Sequence, residues 1–194
     1  KTLIKILKKD KTNIDLLLLT ADKNITELLK QIKIFKVKNI IVTNNKKFLQ
    51  IKKILKNKKI NIYNDFNSIN KIFNKKKNDY VMNSITGLDG LRPTIKIIKF
   101  TKKIAIANKE SIICGWPLIK KELVRNKTKF IPVDSEHFSI YSLVGETKNF
   151  DIEKVYITAS GGPFSKLSLN KFKSITVKSA LNHPNWKMGK KISI

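Results

Sequence analysis

Cysteine and arginine are almost missing from this chain. Cys114 is its one cysteine, which excludes an internal disulfide and any cysteine-rich metal centre, and makes a reducing compartment the natural home. Arg92 and Arg125 are the only arginines, so positive charge rests on lysine. Acidic side chains are scarce too: 14 Asp and Glu against 41 Lys and Arg in 194 residues leave a net charge of +27. Such an excess points first to nucleic acid, because clustered cations release counterions from phosphates. The composition argues against a specific nucleic-acid partner. The bidentate guanidinium is nearly absent, and the lysines recur on every predicted helix, as in Lys46-Lys47, Lys52-Lys53 and Lys75-Lys76-Lys77, rather than on one face. Lys, Ile and Asn are overused together, which reads as AT-biased coding on solvated faces. Salt-sensitive, nonselective adhesion is the expected consequence. No apolar run approaches the roughly 20 residues that span a bilayer, and the opening residues show neither a secretory h-region nor a cleavage site, so no membrane partner is expected.

What the chain does have is 41% hydrophobic residues in a strongly periodic order, enough for one large or two small cored domains. Spacing predicts a helix tail at 2–7, a buried strand over Ile14–Leu19, a helix over Ile25–Phe35 and a strand over Asn39–Val42. It continues with a helix over Lys46–Leu55, a strand at Lys59–Tyr63, a short helix at Asn67–Phe73 and a strand at Tyr80–Met82. Gly90–Phe100 follows as a helix with Pro93 in its first turn, then the strand Ile104–Ala107, the helix Glu110–Val124 and the strand Lys129–Pro132. This alternation predicts an α/β fold, a doubly wound Rossmann-like parallel sheet covered on both faces, with ligands beyond the carboxyl ends of its strands. After Val133 the texture becomes irregular. Two domains are expected, 1–133 as the cofactor domain and 134–194 as the start of an α+β catalytic domain. Both termini, Lys1 and Ile194, look cut, so a fragment of a longer protein is expected, inactive by itself.

Five constellations fall at strand ends or loops. Val133-Asp134-Ser135-Glu136-His137 follows the strand ending at Pro132; if the backbone stays extended there, Asp134 and Glu136 point the same way and offer two hard oxygens to Mg²⁺ or Mn²⁺. The competing account is a helix through Glu136–Tyr141 capped by Asp134. Asp22, Lys23 and Asn24 stand where an adenosine ribose is read: an Asp accepts from a free 2′-hydroxyl, a Lys attracts a 2′-phosphate, and Asn24 otherwise caps the next helix. Asn108-Lys109-Glu110 stands at another strand-to-helix turn and offers an amide, an ammonium and a carboxylate, or else a solvated helix cap. Ser160-Gly161-Gly162-Pro163, after a predicted strand Val155–Thr158, reads as an anion-binding turn or a plain tight turn. The loop His183-Pro184-Asn185-Trp186-Lys187-Met188-Gly189 carries large apolar side chains that suit a closing lid, or packing against another part of the protein. The two histidines, His137 and His183, show no metal-ligand spacing.

In order, Gly87-Leu88-Asp89-Gly90-Leu91-Arg92-Pro93-Thr94, Ala107-Asn108-Lys109-Glu110-Ser111, Pro132–His137, Thr158–Phe164 and His183–Ser193 resemble the 1-deoxy-D-xylulose 5-phosphate reductoisomerase family, over the amino-terminal half of such an enzyme. The resemblance implies an NADPH-dependent, Mg²⁺- or Mn²⁺-dependent reductive isomerisation in non-mevalonate isoprenoid biosynthesis. It implies that a sugar phosphate chelates the metal through its carbonyl and hydroxyl oxygens. It also implies Asp134 and Glu136 as metal ligands, with Glu136, Lys109 and His183 catalytic. Lys109, Ser135, Glu136, Ser160, His183 and Trp186 would bind substrate, with Trp186 as the lid. Asp22, Lys23, Asn24, Asn108, Glu110 and Gly189 would meet the cofactor. A homodimer in the bacterial cytoplasm or plastid stroma follows from the same likeness. Asp22 departs from the Gly usual in the family, and its charge opposes a 2′-phosphate. The Gly-rich phosphate loop and first strand are not in the sequence, nor is the segment after Ile194 where the family keeps another metal-binding carboxylate. The rival readings are another NAD(P)-linked oxidoreductase on a similar sheet, which would not need the acid pair, and a basic nucleic-acid module.

Overall fold

A computed structural model describes residues 2–10, 13–73, 77–144, 152–157 and 161–184. The chain divides into two units, Lys1–Asp134 and Ser135–Ile194.

In the first unit, helix α1 (Thr2–Lys9) precedes six strands: β1 (Leu18–Ala21), β2 (Asn39–Val42), β3 (Asn61–Tyr63), β4 (Asn78–Asn83), β5 (Thr101–Ile106) and β6 (Lys129–Pro132). The crossovers carry α2 (Ile25–Phe35), α3 (Asn45–Ile54), α4 (Ile69–Ile72), α5 (Leu91–Ile98) and α6 (Lys109–Arg125). All pairings are parallel, in two ladders of order β1-β2-β3 and β4-β5-β6. Among the described residues no ladder joins β1 to β4, so each keeps one unpaired edge. The strand expected over Ile14–Leu19 is shorter and begins only at Leu18.

Helix α2 illustrates how the sequence specifies its elements. Asn24 accepts from the Glu27 N–H at 3.1 Å, capping the start, and Lys36 in a left-handed conformation (φ 52°) ends it. Between them Ile25, Leu28, Ile32 and Phe35 recur at helical spacing and are buried.

Strand β2 explains the double winding. Ile40 and Val42 join one apolar cluster with Ile25, Leu28, Ile32 and Ile51, while Ile41 between them joins the other with Ile98, Ile104, Ile106 and Ile119. Successive side chains of a strand point to opposite faces, so both faces of this sheet are covered. Leu18 of β1 packs on the second cluster as well, which ties the two ladders to one core. Ile40→Ala and Ile41→Ala are therefore both expected to cost about 2–5 kcal/mol in chemical denaturation, despite lying on opposite faces. A sheet solvated on one side would make one of the two cheap.

The second unit contains α7 (Ser135–Val144) and α8 (Val177–Ala180), with a 3₁₀ stretch at Leu169–Ser174. None of its described residues is buried. The strand expected over Val155–Thr158 is not formed over its described part: Val155, Tyr156 and Ile157 are irregular and exposed, with no partner strand among the described residues to reward their β propensity. Thr158 lies outside the described residues. Among those residues no helix is long and apolar enough to cross a membrane.

Candidate active site

Parallel pairing sets the carboxyl ends of β4, β5 and β6 side by side, with Asn83 opposite Ile106 and Ile106 opposite Pro132. The ladder runs one step further, through Ala107 N–H to the Asn83 carbonyl at 2.9 Å and Val133 N–H to the Ile106 carbonyl at 3.2 Å. Residues just beyond these ends, Asn108 and Lys109 after β5 and Asp134 after β6, thus rise from strands about 5 Å apart. This is the edge where open α/β sheets take their ligands.

Lys109 is the first residue of α6, exposed, with Glu110 half-buried behind it. Glu110 suits the positive end of the helix dipole, which a lysine at the first helical position opposes. Asp134 is half-buried in the bend after β6. Ser135 and Glu136 then open α7, so the extended backbone expected across 134–136 does not occur: Glu136 sits in a helical first turn. Acidic side chains at a helix start are locally favourable, which is why the chain turns helical there. Carboxylates are hard oxygen donors of the type Mg²⁺ accepts, since that ion takes one or two of them and completes its shell from substrate and water. Among the described residues no group of three or more His, Cys, Asp and Glu gathers to hold a metal.

Asn108 differs from expectation. Its side chain is 3% exposed: Nδ2 donates to the Ile85 and Gly87 carbonyls, at 2.7 Å for the latter, and Oδ1 accepts from the Ser111 N–H at 2.6 Å. Both amide hydrogens are in use, so the side chain cannot offer them to a nicotinamide or sugar. Ser111 itself is fully buried, and its hydroxyl has no partner among the described residues.

At the carboxyl end of the other ladder, Thr43 Oγ1 donates to Asp22 Oδ1 at 3.0 Å, joining the ends of β2 and β1. Asp22 and Lys23 are exposed. Asn24, expected at the cofactor, has its carbonyl oxygen committed to capping α2. In the second unit His183 is half-buried. Gly161 and Gly162 take positive φ, 87° and 72°, and a Cβ at Gly161 would lie 2.8 Å from that of Ser165, so the turn requires glycine there. Ser160, Trp186 and Gly189 lie outside the described residues.

Sequence reasoning missed Asn83 and Thr94, both buried under the 84–90 loop. The signal was present for Thr94: it shares the inward face of α5 with Leu91 and Ile98, where a polar residue needs a partner.

Family models described as 1-deoxy-D-xylulose 5-phosphate reductoisomerase and as its C-terminal domain match residues 1–115 and 130–194. A protein of that name from Pelagibacter ubique is 61% identical over 194 residues, all of this chain and 50% of the relative. One from Clostridium tetani is 39% identical over 98% of this chain and 50% of its own. The solved reductoisomerase from Zymomonas mobilis in complex with NADPH superposes with a TM-score of 0.84 at 26% identity, covering 93% of this chain and 48% of that one. A reductoisomerase in complex with NADPH, fosmidomycin and magnesium gives 0.77 at 27% identity, over 98% and 49%. The chain spans about half the length of the relatives it matches.

Proposed function

The chain belongs to the 1-deoxy-D-xylulose 5-phosphate reductoisomerase family, and on that premise we propose that the full-length protein reductively isomerises 1-deoxy-D-xylulose 5-phosphate to 2-C-methyl-D-erythritol 4-phosphate, using NADPH and Mg²⁺ or Mn²⁺. The observation that carries it is the adjacency of the β5 and β6 carboxyl ends, which brings the Lys109 turn beside the Asp134 turn, with Glu136 two residues further along.

In this reading Asp134 and Glu136 hold the cation. When bound, the metal supplies a Lewis acid for the sugar's carbonyl oxygen and NADPH supplies the hydride. Lys109 contributes a fixed ammonium where oxygen gains negative charge, the kind of preorganised donor that lowers such a barrier. Ser135, Ser160 and His183 bind and orient the sugar phosphate, while Trp186 covers it against water. Glu110 and Gly189 meet the cofactor, and Asn108 serves through its backbone because its amide is committed. Asp22, Lys23 and Asn24 line the adenosine end. Lys23 attracts a 2′-phosphate and Asp22 opposes it, so the preference for NADPH over NADH should be narrower than Lys23 alone would give. The active form in this reading is a homodimer, and the bacterial source of the relatives favours the bacterial cytoplasm over a plastid stroma.

The full-length protein should oxidise NADPH only when both the sugar phosphate and a divalent cation are present, and chelation should abolish turnover reversibly. Metal-independent turnover, or turnover of an unrelated carbonyl substrate alone, would favour another nicotinamide oxidoreductase.

A further inference from the structure

The 84–90 loop between β4 and α5 is held by two buried asparagines. Asn83, last residue of β4 and 6% exposed, accepts from the Ile85 N–H at 3.0 Å through Oδ1. Its Nδ2 donates to the Gly90 carbonyl at 3.2 Å and to the Thr94 hydroxyl, which donates to the same carbonyl at 2.7 Å. Asn108 approaches from the next strand and donates to the Ile85 and Gly87 carbonyls. Ile85 is thus gripped at its N–H by one asparagine and at its carbonyl by the other. Gly90 leaves them room: a Cβ there would lie 2.9 Å from the Ile85 oxygen and would collide with the Asn108 amide.

We infer that Asn83, braced by Thr94, is a positioning residue for Lys109, acting through Ile85 and Asn108 to lock the first turn of α6 in register with the end of β4. The inference rests on Lys109 being the substrate contact proposed above. Asn108 both caps α6, through Ser111, and neighbours Lys109 in the chain, so a shift of the loop moves the backbone that carries Lys109. Displacements near 1 Å cost catalysis roughly 100-fold even when the moved group never touches the chemistry. A fully paired polar network also fixes one arrangement where apolar packing of the same volume would tolerate several.

Thr94 gives the discriminating test in the full-length protein, because Thr94→Ser keeps the hydroxyl and loses volume, whereas Thr94→Val keeps volume and loses the hydroxyl. Thr94→Ser should retain kcat, while Thr94→Val and Asn83→Asp should lower it roughly 10- to 100-fold per folded molecule. In Asn83→Asp the amides of 84–90 should exchange hydrogen faster. The reverse ranking, Val active and Ser impaired, would make Thr94 a packing residue and overturn the inference. So would an unchanged kcat in folded Asn83→Asp. A wild-type protein that turns over no sugar phosphate would instead remove the functional reading beneath it.

Discussion

Replacing Asp134 by Asn in the full-length protein is expected to abolish metal-dependent turnover and to weaken Mn²⁺ binding by more than the roughly 10- to 100-fold that loss of a supporting group costs. The substitution is chosen because the two accounts of Asp134 diverge on it. Asp134 immediately precedes α7, a position where Asn is as favourable as Asp. A residue that serves only the helix would therefore tolerate the change with fold and function intact. A residue that binds a hard cation would not, because a neutral amide oxygen is a far poorer partner than a carboxylate. Metal titration of the folded variant, followed by water relaxation or calorimetry, separates the two. Retained Mn²⁺ affinity would mean that the acid pair belongs to the helix start alone.

Lys109→Gln is expected to give effects of opposite sign on activity and stability. Loss of the ammonium from the sheet edge should lower kcat by roughly 100- to 1,000-fold, the range seen when a preorganised charge-stabilising donor is removed. Stability should stay level or rise by about 0.3–1 kcal/mol, since the lysine stands at the first position of α6, where the helix dipole disfavours a cation. Residues retained for the fold do not behave in this way. A variant that loses stability and activity together would assign Lys109 to the architecture instead.

The fold was legible where the physical signal is local. Asn24 before the apolar spacing of Ile25–Phe35 predicts α2 from cap to last turn, and the unbroken β-branched run of β2 announces a strand buried on both faces. Local signals misled in two places. The strand-favouring run Val155–Ile157 resembles a strand, yet a strand needs a neighbour, and none pairs with these residues among those described. Asp134 and Glu136 would align in an extended chain, but the competing reading, a helix through Glu136–Tyr141, is the one the chain adopts. The site was legible as residue types at strand ends and not as hydrogen bonds. Asn108 was expected at the site through its amide, but that amide is spent on carbonyls 21 and 23 residues back in the chain. Asn83 and Thr94 escaped notice for the same reason: their importance lies in long-range pairing that no window of sequence contains.

The central claim is that Asp134 and Glu136 share one divalent cation beside Lys109. Anomalous diffraction from the full-length protein crystallised with Mn²⁺ tests it most directly. A single strong manganese peak with one oxygen of each carboxylate about 2.1 Å away is the predicted result. Manganese bound elsewhere, with Asp134 and Glu136 turned from each other, would contradict it.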